Sequence, residues 1–179
     1  MAIELVVNRV KNQTDLDWVV ETCFKHFKEP NQVSTSAEYR EMIQPWLDDP
    51  TLGMIIAYDE EGPVGLALYR SCELQENDIL RDAVGRFPDL KYEETSKSLE
   101  AIIVDENHRR QGIGGAMVNT MVEECKKQNV TQIYALCWKG PSGDSYPLLT
   151  KMGFRCLATL EKLYLDNSTG SVVMKDLTK

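Results

Sequence analysis

The chain has 179 residues, 42% of them hydrophobic, and a formal net charge of −8 from 28 acidic and 20 basic side chains. That length suits one domain spanning 1–179, able to bury roughly 70% of its unfolded surface. The acidic balance argues against general nucleic-acid binding, and five dispersed cysteines with only two histidines suggest neither zinc nor a disulfide framework.

The start, Met1 to Val7, contains Glu4 and no basic residue, so it does not read as a signal peptide, and no apolar run approaches membrane length. A cytoplasmic protein with no membrane partner is expected. Ile3 to Val10 alternates as a first strand. Asp15 to Phe27 then places Leu16, Val19, Val20, Cys23, Phe24 and Phe27 on one helical stripe, with Thr14 as its cap. Ser36 to Leu47 reads as a shorter helix that Pro45 must end or bend. Leu52 to Tyr58 and Val64 to Arg70 form a hairpin around Asp59-Glu60-Glu61-Gly62-Pro63. The connection from Cys72 to Lys97 is long enough to be an insertion, with a helix near Asp78 to Phe87.

Leu99 to Val104 is a mostly apolar strand, and beyond it Ile113, Met117, Val118, Met121, Val122 and Cys125 recur at helical spacing. Between them lies His108-Arg109-Arg110-Gln111-Gly112-Ile113-Gly114-Gly115, which puts three glycines at the first helical turn. Each glycine costs a helix roughly 0.8 to 1 kcal/mol relative to alanine, so the missing side chains must serve another end. The first N–H groups of a helix lack intrahelical partners and sit at the positive end of its dipole, so an anion can approach where no Cβ intervenes. Arg109 and Arg110 add charge there. A P-loop is excluded because no Lys-Ser or Lys-Thr follows at the required spacing. A dinucleotide fingerprint is excluded because its third glycine would fall on Met117.

Farther on, a strand over Thr131 to Cys137, a turn through Gly140-Pro141-Ser142-Gly143, a short helix from about Ser145 to Met152 and a strand from Phe154 complete an α/β alternation.

Arg109-Arg110-Gln111-Gly112-Ile113-Gly114 satisfies Arg/Gln-x-x-Gly-x-Gly/Ala and resembles the acyl-CoA pyrophosphate loop of the GNAT superfamily of N-acetyltransferases. Val104 to Arg109 is similar to the strand exit that precedes the loop in that family, Leu148 to Phe154 to its helix ending in Gly-Phe, and Val173 to Leu177 to its last strand. The resemblance implies an α/β fold with a mixed, mainly antiparallel central sheet flanked by helices and a splayed pair of strands at the CoA site. It implies acetyl-CoA as co-substrate, with its pantetheine arm on backbone groups of Ile102, Ile103 and Val104 and its pyrophosphate on Arg109, Arg110, Gln111, Gly112, Ile113, Gly114 and Gly115. It also implies an oxyanion donor near Val104, and an insertion at 72–97 that either covers the acceptor or merely decorates the fold.

Acyl transfer to an amine needs the neutral amine, and a lysine-like amine is neutral in only about one molecule in 2,500 at pH 7. A positioned base supplies the deprotonation. Strand periodicity puts Ser98, Glu100, Ile102 and Val104 on one face, where Glu100 is the only carboxylate and the leading base. The family's frequent tyrosine acid falls on Leu149, so Tyr146, one turn earlier, is the candidate acid. A thiolate leaves tolerably without one. Nothing near Cys137 in the sequence forms an obvious Cys/His constellation for a covalent route. The expected partner is therefore an amine acceptor, small or protein-borne, attacked directly in a ternary complex with no metal. A catalytically silent acyl-CoA sensor remains the alternative, and homodimerisation stays open.

Overall fold

The computed structural model describes residues 3–7, 13–49, 51–72, 95–140, 143–161 and 169–178. Its elements are β1 (Glu4–Val7), α1 (Gln13–Asn31), α2 (Ser36–Leu47), β2 (Gly53–Tyr58), β3 (Pro63–Ser71) and β4 (Lys97–Val104), then a 3-10 turn (Glu106–His108). After the turn come α3 (Ile113–Lys127), β5 (Gln132–Gly140), β6 (Gly143–Asp144), α4 (Tyr146–Lys151), β7 (Arg155–Leu160) and β8 (Gly170–Asp176). The strands form one sheet in the order β1-β2-β3-β4-β5-β8-β7, with β6 paired to β5. Among the described residues only β4 and β5 run parallel; the other pairs are antiparallel.

β2 is buried along its whole length and reads as a continuous apolar run, as a strand covered on both faces must. One cover is α3, whose Ile113, Met117, Val118, Met121, Val122 and Cys125 share a cluster with Ile55, Ala57, Ala67, Tyr69 and Leu99. The other is the α1–α2 pair, where Val19, Val20, Cys23, Tyr39 and Ile43 meet Met54, Ile56, Leu66, Leu68, Ala101 and Ile103. Phe24 packs on Tyr39 with ring centroids 5.9 Å apart, joining the two helices.

One local expectation is corrected. α1 begins at Gln13, so Thr14 lies inside its first turn and is not the cap; the Gln13 side chain donates to Asp17 at 3.0 Å and supports that earlier start. α2 ends at Leu47, as expected, two residues beyond Pro45: the proline removes one N–H, and Asp48 still donates to the Gln44 carbonyl at 2.9 Å. α2 starts where expected, with Thr35 and Glu38 each accepting from the other's backbone N–H as a capping box. Residues 8–10 of the expected first strand, the helix near 78–87 and most of the 72–97 insertion lie outside the described residues. Among the described residues, no helix is long and apolar enough to cross a membrane.

Met117 is fully buried under α3 at the sheet centre. Met117→Ala is expected to lower the unfolding free energy by about 2 to 5 kcal/mol, measured as a drop in the urea midpoint with an unchanged m-value.

Candidate active site

The parallel pairing of β4 with β5 covers only Lys97, Ser98 and Leu99 against Ile133, Tyr134 and Ala135. Both strands continue, β4 to Val104 and β5 to Gly140, so a gap opens between them. On its other edge β4 stays paired to β3, and the Asp105 N–H donates to the Val64 carbonyl at 2.9 Å. Backbone groups alternate sides along a strand, so that bond directs Ile103 toward β3 and directs the N–H and C=O groups of Ile102 and Val104 into the gap. Of the three residues expected to hold a pantetheine arm, the backbone of Ile103 therefore faces away. Arg109 Nε donates to the Val104 carbonyl at 3.1 Å, which leaves the N–H of Val104 and both groups of Ile102 facing the opening.

At the end of β4 the chain turns through a braced loop. Asp105 caps the 3-10 turn by accepting the Asn107 N–H at 3.0 Å, and Gln111 Nε2 reaches back to the Asn107 carbonyl at 3.2 Å. Arg110 and Gly112 are both left-handed, at φ +62° and +86°. Gly112 is the N-cap of α3 and no side chain caps it. The first helical bond is Ala116 N–H to Gly112 C=O at 2.9 Å, so the amides of Ile113, Gly114 and Gly115 have no helical acceptor. A Cβ on Gly112 would meet nothing within 4 Å, whereas one on Gly114 would come within 3.0 Å of Leu148 on α4. The glycines thus have different reasons: Gly112 keeps the space before the helix open, and Gly114 lets α4 close on α3. Together with the gap-facing amides, this cradle fits an acyl-CoA, phosphates at the helix end and an amide-bearing arm along β4. Arg109 braces the loop and Arg110 is exposed beside it.

Glu100 is the extra residue of a β-bulge: Leu68 pairs with Ala101 and Tyr69 with Leu99, so Glu100 has no partner on β3. The bulge overturns the shared face expected from alternation. Ile102 and Val104 pack toward α3 with Leu99, while Ala101 and Ile103 pack toward α1 and α2. Ser98 lies opposite Arg70, on the α1–α2 side, and Glu100 points there too, its Oε1 3.6 Å from Arg70 Nε. Arg70 is also 4.0 Å from Asp49. Both contacts exceed hydrogen-bond length, and the buried Nε of Arg70 has no hydrogen-bond partner.

Tyr146 begins α4 and is partly buried against the α3-side core, while Leu149, at the position of the family's tyrosine, is 1% exposed within it. Glu100 and Tyr146 therefore approach from opposite faces of the sheet. Alternation could not reveal the features that come from distant segments. Phe27 of α1 packs on Trp138 of β5 at 6.5 Å, and Lys25 of α1 pairs with Glu106 at 3.2 Å, so one helix reaches both arms of the gap. His26 on the same helix is buried, which with Arg109 and Lys25 nearby lowers its pKa below the usual imidazole value. His108 is gripped by two carboxylates, Asp59 at 2.9 Å and Asp105 at 3.1 Å.

The model of the acetyltransferase (GNAT) family matches residues 20–154. The chain belongs to the GNAT acetyltransferase family. It is an acetyl-CoA-dependent N-acetyltransferase by that membership, on the family's mixed, mostly antiparallel sheet. A search of the curated proteins finds no match. Among solved structures, the ribosomal-protein-alanine N-acetyltransferase from Brucella melitensis is 18% identical with a TM-score of 0.65, covering 96% of this chain and 99% of that one. An aminoglycoside 6'-acetyltransferase type Ii is 18% identical at 0.67, over 99% of this chain and 97% of that one. A chain of the NatC complex bound to Gag peptide and CoA is 14% identical at 0.68, over 98% and 99%. At these identities they establish a shared fold.

Gly112→Val places a branched side chain in front of the helix and in a conformation that L residues avoid at roughly 1 to 2 kcal/mol. Calorimetry with CoA is expected to show at least about tenfold weaker binding, with the circular dichroism spectrum of a folded protein.

Proposed function

We propose that the chain transfers the acetyl group of acetyl-CoA directly to an amine, with Glu100 as the base. The observation that carries this reading is the bulge. It lifts one carboxylate out of β4 toward the α1–α2 face, two residues before Ile102, where the backbone begins to face the gap. Acetyl-CoA supplies an activated carbonyl carbon and a thiolate leaving group. Ile102 and Val104 align the donor through their backbone, the Val104 N–H is placed to stabilise oxyanion charge, and the amides of Gln111 to Gly115 hold the pyrophosphate with Arg109 and Arg110. Glu100 takes the proton of the acceptor amine as the new C–N bond forms and the C–S bond breaks.

Cys137 supports direct transfer, being fully buried in the α3-side core where an acyl-enzyme could not be reached by an acceptor. Tyr146 is the proposed proton donor to the departing thiolate, from the α4 side. The acceptor is an amine admitted from the α1–α2 side. The solved relatives act on targets as different as a ribosomal protein and an aminoglycoside, so the acceptor class is left to experiment. The burial of Leu149, where the family's acid usually stands, keeps a second reading in view, a silent acyl-CoA sensor.

Thiol release from acetyl-CoA across a panel of small amines and peptide N-termini separates the two. With an accepted amine, Glu100→Gln is expected to lower kcat by about 10² to 10⁴ while leaving CoA affinity unaltered. Unchanged turnover would remove Glu100 from the mechanism, and no thiol release with any amine would favour the sensor.

A further inference from the structure

His108 ends the 3-10 turn between β4 and the loop before α3. Its Nε2 is 2.9 Å from Asp59 Oδ2 and its Nδ1 is 3.1 Å from Asp105 Oδ1. Asp59 belongs to the β2–β3 turn, where its other oxygen accepts the N–H groups of Glu61 at 2.8 Å and Gly62 at 3.0 Å, and its side chain is only 4% exposed. A neutral imidazole has one N–H and one lone pair, so it can satisfy one of these carboxylates and must turn a lone pair on the other. Only the imidazolium donates to both.

We propose that His108 is a positioning residue for the cofactor loop, the protonated ring locking the loop's entry to the β2–β3 turn so that CoA affinity depends on its proton. The inference rests on the reading of Gly112 to Gly115 as the CoA cradle. Arg109, the next residue, braces that cradle through Val104, so the ring's hold on the chain is passed directly to the phosphate-binding turn. The charged groups facing the ring are Asp105 from its own turn and Asp59 from the β2–β3 turn; Glu106 is engaged by Lys25 of α1 at 3.2 Å. The hydrogen bond to Asp105, with that to Asp59, raises the His108 pKa above the ordinary imidazole value. A raised folded-state pKa means that the latch is complete below about pH 6.5 and opens as pH climbs through the folded-state midpoint.

The test uses CoA alone and needs no acceptor. Calorimetric affinities of the wild-type protein and His108→Gln are compared across pH, which cancels the titration of CoA's own phosphates. Wild type is expected to lose about fivefold or more in affinity through the His108 window, and His108→Gln to bind weakly at every pH without that added slope. Because the chain has only two histidines, the His108 titration can also be followed by NMR in the unmodified protein. By linkage, saturating CoA should raise its midpoint by about 0.7 units or more. Equal binding by His108→Gln at all pH values, or a midpoint that CoA does not raise, overturns the role of His108. Absence of CoA binding by the wild-type protein overturns instead the cradle reading beneath it.

Discussion

Parallel pairing between β4 and β5 stops after Leu99 and Ala135, and the arrangement of the site follows from the backbone groups left behind. A peptide group inside a protein needs a hydrogen-bond partner, yet Ile102 and Val104 turn theirs into a gap where β5 has diverged. Such an edge is a liability in most sheets, open to pairing with another strand. Here it becomes the place where an extended, amide-bearing molecule can lie as a missing strand would. The loop that follows begins where β4 ends, so in the proposed binding mode strand and helix terminus act along one line. α1 reaches the arms of the fork at Glu106 and Trp138. The width of the opening is therefore tied to the packing of a helix on the acceptor side.

Charge works locally against the global balance. A chain carrying −8 would repel a polyphosphate at long range, but salt screens that field within about 8 to 10 Å. Inside that distance the start of α3 offers three amides without a helical acceptor, the positive end of a helix dipole and two arginines. On the α1–α2 side, the carboxylate of Glu100 has Arg70 beside it, which limits how much negative charge accumulates there.

The sequence shows much of this because the strongest signals are local. The α3 stripe and the glycines before it lie in a single stretch, and the exclusion of other phosphate motifs leaves few ways to read Arg109 to Gly114. The hairpin at Asp59 to Pro63 and the end of β4 are equally direct, since turn residues interrupt apolar runs. The bulge at Glu100 is invisible to such reading, because one additional residue in Ser98 to Val104 leaves an apolar strand looking like any other while reversing which residues share a face. The grip on His108 is hidden for a different reason: its partner Asp59 is far away in sequence, and its role in capping the β2–β3 turn already accounts for it.

The bulge also has an evolutionary consequence. It divides β4 into two parts under different kinds of constraint. Beyond it, Ile102 and Val104 face the gap with peptide atoms that every amino acid except proline supplies, so their side chains are free to follow the demands of the core. At the bulge, the role proposed for Glu100 depends on the side chain itself. On that proposal, donor holding tolerates side-chain change along this stretch, and the chemistry offered to the acceptor can change by substitution at a single projecting position.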